Sequence, residues 1–341
     1  MEGEFDYSAR LSEFARRVLP AKSVLIATHD YPDPDCLAAA AGLSQLLAFL
    51  GESSCKTAYG GFVGRAENRA MVEALDLTVI PMALVDFTLF DRVMVVDSVP
   101  GGGNVSLPPA VKVDAVFDHH LAGPQENAPY YQDIRKDVGA TSTIVTGYIR
   151  EAGCPLPPKV ATALFYGIKT DTGGLGRESF AEDLWAYKFL FEHLDHRLLY
   201  QIERPDRAPE FFRVLNRAAT SMSLCQGTGF LYLAEVSTPD YVGEMADFFH
   251  SLEGEEWTVC AGLFQDSLFY SLRCKKNEQA GALARDIGKL LGGSGGGHAK
   301  IGAGRIPLSA FTDADLAGEF KKTVKKVLDI SAKPETPLLK L

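Results

Sequence analysis

Short apolar runs that stop at a charged residue recur in the first third of this chain. Val24-Leu25-Ile26-Ala27-Thr28 runs into His29-Asp30, Val93-Met94-Val95-Val96 into Asp97, and Val113-Asp114-Ala115-Val116-Phe117 into Asp118-His119-His120. Runs of this length, rich in β-branched residues, read as buried strands. The pattern predicts strands at Val24–Thr28, Cys55–Tyr59, Arg92–Val96 and Val113–Phe117. Between them it predicts helices over Cys36–Leu50, closed by Gly51, and over Arg65–Leu75. Alternation of this kind predicts βαβ units and a largely parallel sheet. Three strands then release acidic or imidazole groups at their carboxyl ends, the edge where open α/β sheets bind ligands.

From Gly139 to Leu194 the pattern turns mainly helical, broken by Cys154-Pro155-Leu156-Pro157-Pro158 ahead of a helix that leads to Asp171. Pro209 to Cys225 reads as a long helix, and Gln226-Gly227-Thr228-Gly229 as the end of an inter-domain connector. A second, smaller α/β unit follows. Phe230–Val236, Trp257–Phe264 and Ser267–Arg273 read as its strands, with a hairpin connection at Leu263-Phe264-Gln265-Asp266-Ser267-Leu268. Gln279–Leu291 reads as a helix ending at Gly292-Gly293. The predicted domains are 1–200, a helical connector 201–227, a second domain 228–330 and a loose tail 331–341.

Composition narrows the class. No apolar run approaches the ~20 residues that span a bilayer, and the acidic start Met1-Glu2-Gly3-Glu4 lacks the features of a secretory signal. Six cysteines without a CxxC pair argue against a disulfide framework and for a reducing cytoplasm. The formal net charge is −10. Proteins that grip long nucleic acid need basic surface to neutralise phosphates. Here the cationic spots are small, Arg273-Cys274-Lys275-Lys276 and Lys321-Lys322 with Lys325-Lys326, the latter a solvated helix face. The balance favours a small phosphorylated substrate, neither long duplex nor membrane.

His29, Asp33 and Asp35 share one strand-to-helix loop, stiffened by Pro32 and Pro34. Carboxylates with a few imidazoles suit Mn²⁺, Mg²⁺ or a similar ion, and a carboxylate cluster without a cation repels itself. Asp35 equally suits a helix cap, and Asp97 a strand-end cap. Asp30 reads as an ordinary surface carboxylate, and Gly101-Gly102-Gly103-Asn104 as a surface turn. Gly292-Gly293-Ser294-Gly295-Gly296-Gly297-His298 reads as a flexible loop whose backbone N–H groups can approach an anion. With His298 and the planar fork of Arg273 it suits a phosphate cradle.

Taken in order, His29-x-x-Pro32-Asp33-x-Asp35, Asp97, Asp118-His119-His120 and Thr170-Asp171-Thr172 resemble the four motifs of the DHH phosphoesterase superfamily. RecJ-type exonucleases, nano-RNases and family II pyrophosphatases belong to it. Gly295-Gly296-Gly297-His298 is similar to the signature of the accompanying DHHA1 domain. The resemblance implies a parallel-sheet DHH domain with helices on both faces and a smaller DHHA1 domain across a cleft. It implies two divalent cations, Mn²⁺ first, with Mg²⁺ or Co²⁺ as alternatives. Asp97 would bridge them, His29 and Asp33 completing one shell, Asp35, His119 and Asp171 the other. Asp118 would orient its neighbours. Asp97, His119 and His120 would carry catalysis, and His120, Arg273, Gly295, Gly296, Gly297 and His298 would hold the substrate.

Pro34, Ala38-Ala39 and Ala299-Lys300-Ile301-Gly302-Ala303 depart from the family's usual residues without touching a presumed ligand. The expected activity is hydrolysis of short oligonucleotides, linear dinucleotides or 3′-phosphoadenosine 5′-phosphate. The rivals are pyrophosphate or polyphosphate hydrolysis, a processive single-strand exonuclease, and a nucleotide sensor without catalysis. A homodimer is left open.

Overall fold

A computed structural model describes residues 5–51, 53–120, 126, 128–276, 279–297, 299–312, 314–330 and 334–340. The chain divides into two compact units, Met1–Pro205 and Asp206–Leu341.

The first unit runs α1 (Tyr7–Val18), β1 (Ser23–Ala27), α2 (Pro34–Gly51), β2 (Ser54–Tyr59), α3 (Ala66–Ala74), β3 (Val79–Pro81), β4 (Arg92–Val96), β5 (Ala115–Asp118) and β6 (Tyr131–Ile134). Four helices follow: α4 (Thr141–Glu151), α5 (Pro158–Asp171), α6 (Ala181–Phe191) and α7 (His196–Glu203). The six strands form one parallel sheet in the order β3-β2-β1-β4-β5-β6. Alternation along each strand sends Val24, Ile26, Met94, Val96 and Phe117 to one face, against α1, α2, α4 and α5. Leu25, Ala27, Val93, Val95 and Val116 go to the other.

That second face carries no helical layer among the described residues. Two 3₁₀ turns at Met82–Leu84 and Phe87–Leu89 and the irregular chain around Val99, Val105, Leu107 and Val111 cover it. The expectation of helices on both faces gives way here, because the apolar side chains of these irregular segments bury the face without them. α2 is apolar and long enough to cross a membrane by length and composition. Its buried residues, Cys36 to Ala40, Gly42, Leu43, Leu46 and Leu47, pack instead in this core.

The second unit runs α8 (Pro209–Ser221), β7 (Ser223–Cys225), β8 (Thr228–Glu235), α9 (Asp240–Phe249), β9 (Trp257–Phe264), β10 (Ser267–Cys274), α10 (Ala280–Leu290), β11 (Ser294–Gly297), β12 (Ile301–Pro307), α11 (Leu316–Val327) and β13 (Thr336–Pro337). Its seven-stranded sheet has the order β11-β12-β10-β9-β8-β7-β13, antiparallel except for β8 with β9. α10 and α11 cover one face, α8 and α9 the other.

Four expectations for this half give way. The connector 201–227 is not a separate element: residues 201–203 finish α7, α8 packs on β8 and α9, and Gln226-Gly227 form the β7–β8 turn with left-handed backbone, φ 49° and 73°. The tail is not loose over 334–340, because Thr336 and Pro337 pair with Leu224 and Ser223. Glu335 also meets Lys321 at 2.8 Å and Lys325 at 2.6 Å, so those two lysines are not simply a solvated face. The glycine run is no flexible loop either. Ser294–Gly297 is a strand lying so close to α10 that a Cβ on Gly295 would sit 2.2 Å from the Ala284 carbonyl oxygen.

Candidate metal centre

The site is assembled at the carboxyl edge of β1, β4 and β5. The β1–α2 loop is fixed at successive residues. Asp30 accepts from the Ser106 N–H (2.9 Å) and hydroxyl (2.8 Å), Tyr31 N–H donates to the Gly60 carbonyl (2.9 Å), and buried Asn68 donates to the Pro32 carbonyl (3.1 Å). Asp30 therefore ties the segment after Gly103 to the loop, a larger part than a surface carboxylate. Asp33 accepts from the Cys36 N–H at 3.0 Å and caps α2. Asp35 sits inside the first turn of that helix and is fully buried.

Asp97 follows β4 with left-handed backbone, φ 58°, a conformation an L-residue adopts at a cost. Its N–H donates to the Phe117 carbonyl at 2.8 Å, which holds it there. Its two oxygens face different partners. Oδ2 lies 3.5 Å from His29 Nε2, which is itself 3.6 Å from Asp33 Oδ1. Oδ1 lies 3.4 Å from His119 Nε2, which is 3.2 Å from Asp171 Oδ2. Asp35, Asp97, His119 and Asp171 form one potential ligand group, and His29, Asp33 and Cys36 another.

The charge balance tests whether such a cluster fits a cation. Burial alone would lower the imidazole pKa values, yet His29 is raised well above its ordinary value by Cys36, Asp33 and Asp97, and His119 by Asp171, Asp97 and Asp35. Burial and the neighbouring Asp97 and Asp171 push Asp35 well up; burial takes Asp171 to about 6. Asp97 is lowered: its burial is outweighed by His29, His119 and His120. Without cations, protons are the counter-charge. His119 Nε2 is moreover buried without a hydrogen-bond partner while aimed at two carboxylates. An orphaned nitrogen facing carboxylate oxygens fits a divalent cation, whose binding would release those protons.

His120 Nδ1 lies 2.7 Å from Asp118 Oδ1, a contact that fixes the ring and, against the effect of burial, raises its pKa. Asp118 is buried beneath the site and bears on it through His120.

Gly139-Ala140-Thr141-Ser142-Thr143 resembles a helix start in sequence, and α4 does begin there, but the bonds of its amino end to the site were missed. Asp35 Oδ2 accepts from the Thr141 N–H (2.7 Å) and Oδ1 from the Ser142 N–H (3.0 Å), while the Thr141 hydroxyl donates to Asp97 Oδ1 (2.8 Å). Asp35 is thus a cap, but of α4 rather than of its own helix. A carboxylate has lone pairs enough to accept these bonds and face a cation too. Behind α4, fully buried Asp183 accepts from the Gly139 N–H (2.8 Å), the Phe180 N–H (2.8 Å) and the Thr143 hydroxyl (2.5 Å). Cys36 was missed as well; its buried thiol is pushed up to about 12. The only local signal for Asp183 is its place three residues into a helix, where an acid can bond back to the cap.

The other expected residues lie in the second unit. Arg273 is buried, its Nε donating to Asp247 Oδ1 (2.5 Å) and Nη1 to Ser271 Oγ (2.6 Å) and the Leu272 carbonyl (3.0 Å). It pairs with Ile301 on β12, next to the Gly297–Gly302 pair, so Arg273 and Gly297 share one end of that sheet. Gly295 and Gly297 are packing glycines; Gly296 alone of the three faces open space. His298 lies outside the described residues.

Carboxylates and imidazoles gathered at the carboxyl edge of a parallel sheet define a candidate metal centre on an α/β fold. Residues 23–168 match the DHH family, N-terminal domain, and 227–329 the DHHA1 domain. The chain belongs to the DHH/DHHA1 phosphoesterase superfamily. It is 32% identical over 309 residues to the uncharacterized protein MJ1633 of Methanocaldococcus jannaschii, covering 89% of this chain and 62% of that protein. The chain thus spans less than two thirds of that relative's length. Its fold resembles an exopolyphosphatase-related protein of Bacteroides fragilis (TM-score 0.75, 16% identity, 94% and 96% of the two chains). It also resembles RecJ of Thermus thermophilus in complex with Mn²⁺ (TM-score 0.52, 15% identity, 96% and 55%). At these identities the likeness to the two solved structures is one of fold alone.

Proposed function

We propose that this protein hydrolyses phosphoester bonds in short oligonucleotides, linear dinucleotides or 3′-phosphoadenosine 5′-phosphate, using two divalent cations. The observation that carries the two-cation reading is Asp97, whose two oxygens face two separate imidazole–carboxylate groups. His29, Asp33 and Asp97 would hold one ion, and Asp97, Asp35, His119 and Asp171 the other. Cations there supply Lewis-acid activation of water and neutralise charge that develops on the phosphate.

The chain's own residues do the rest. Thr141 and the α4 amides hold Asp97 and Asp35 in place. Asp118 fixes the ring of His120 through Nδ1 and favours its protonated form, which can carry a proton on Nε2. We assign that proton to the departing oxygen. Arg273 and the β11 edge are the proposed seat of the substrate's phosphate. The net charge of −10 favours substrates with few phosphates, and residence in a reducing cytoplasm accords with six cysteines that form no disulfide.

The test is a panel with Mn²⁺: 3′-phosphoadenosine 5′-phosphate, pApA, a five-nucleotide RNA, a long single strand, pyrophosphate and polyphosphate. The two- to five-nucleotide substrates should turn over fastest. Cleavage of pyrophosphate or polyphosphate alone, or of the long strand as fast as pApA, would refute the reading.

A further inference from the structure

Tyr31 stands between two of the candidate ligands, two residues from His29 and two from Asp33. Its backbone is left-handed, φ 57°, a conformation unfavourable for an aromatic residue. It persists because Asp30, Tyr31 and Pro32 are each tied down by the bonds to Ser106, Gly60 and Asn68. The strain does not serve the core. The ring is 42% exposed. It lies over Gly61, where a Cβ would come within 2.8 Å of it, and meets Phe62 edge-on at 5.2 Å and 90°. A cavity of about 370 Å³ lined by Gly60, Gly61, Tyr59, Met82 and Phe87 adjoins this glycine pair. Strain that the surrounding bonds enforce and the fold does not use points to function.

We propose that Tyr31, braced by Phe62, is a stacking platform for the nucleobase beside the phosphate to be cleaved. The inference rests on the nucleotide reading above and deepens it. Two residues of chain reach at most ~7 Å, so the phosphate to be cleaved, drawn to the cation that His29 and Asp33 would hold, brings its own nucleoside within reach of the ring. Every base offers a π-face, so such a platform selects nucleotides over pyrophosphate or polyphosphate without selecting sequence.

The test compares wild type, Tyr31→Phe and Tyr31→Gly in full-length protein. Binding of AMP and of ribose 5-phosphate, with Ca²⁺ present, is measured by calorimetry. The kcat/KM ratio for pApA over its abasic analogue is measured with Mn²⁺. Wild type should favour the base-bearing ligand about ten- to hundred-fold. Tyr31→Phe should keep that ratio and Tyr31→Gly should bring it close to one. Because glycine suits φ 57°, the melting temperature of Tyr31→Gly should not fall. An undiminished ratio in Tyr31→Gly overturns the proposal. A wild type that cleaves pApA and its abasic analogue equally also overturns it while leaving the nucleotide reading intact. A wild type that ignores AMP and pApA and hydrolyses pyrophosphate ends both.

Discussion

Replacing Asp183 by alanine tests whether the metal centre is held from behind. The carboxylate is fully buried and receives the Gly139 N–H, the Thr143 hydroxyl and the Phe180 N–H. Phe180 is exposed, so water can replace its partner. Gly139 and Thr143 are buried and keep no such recourse. Two stranded donors at ~1–3 kcal/mol each give a loss of about 2–6 kcal/mol, a large share of the ~5–15 kcal/mol that holds a typical protein folded. Asp183→Asn keeps one acceptor and should lose about half as much. The assay is urea unfolding of chelator-treated protein in a Trp257→Phe background, so that Trp185 on α6 reports the first unit alone. Mn²⁺ titration of the folded protein is the second readout. With α4 no longer fixed, Thr141 and Ser142 orient Asp35 and Asp97 poorly, and affinity should fall roughly ten- to hundred-fold. An Asp183→Ala variant within about 1 kcal/mol of wild type, or one destabilised but with unaltered Mn²⁺ affinity, would refute the reasoning.

Asp97→Ala should bind at most one Mn²⁺ where wild type binds two, and its turnover should drop to background with an unchanged circular dichroism spectrum; more than a few per cent of activity would contradict the bridging role. Asp171, raised to about 6 against an unfolded value near ~3.9, binds more protons folded than unfolded, so its contribution to metal-free stability is lost as pH rises from about 4 through 6. Thermal melts with chelator should show that decline; Asp171→Asn should shrink it to the part that Asp35 contributes, and added Mn²⁺ should remove it. Gly295→Ala forces its Cβ into the Ala284 carbonyl and the Tyr270 hydroxyl and should cost about 1–3 kcal/mol. Gly296→Ala meets nothing within 4 Å and should stay within about 0.5 kcal/mol of wild type by melting temperature.

The strands that carry the site were legible because β1, β4 and β5 are buried on both faces and so read as continuous apolar runs. β3 was not, being three residues with a proline at the end. Nor was β6, whose buried Asp133 looks like a surface residue until Tyr148 donates to it at 2.7 Å. The ligand candidates stood out through local spacing. Thr141, Ser142 and Asp183 did not, because apart from the local bond of Asp183 to Phe180 their partners lie 40 to 107 residues away, beyond any periodicity. The glycine run looked like a loop because composition records flexibility and not closeness; only the neighbouring α10 shows why side chains are excluded there.

The carboxylates that dock α4 are the same ones offered to cations. Asp35 and Asp97 therefore join helix packing to ion supply in a single balance. An ion that binds the folded state at a hundred times its dissociation constant adds ~2.7 kcal/mol to stability. Amide exchange along α4 would then follow cation occupancy although no α4 residue is among the proposed ligands. In a cell short of divalent metal, the protein would be cleared faster as well as work less, because the unfolded fraction exposed to proteases rises as stability falls. Its abundance would itself register the metal supply.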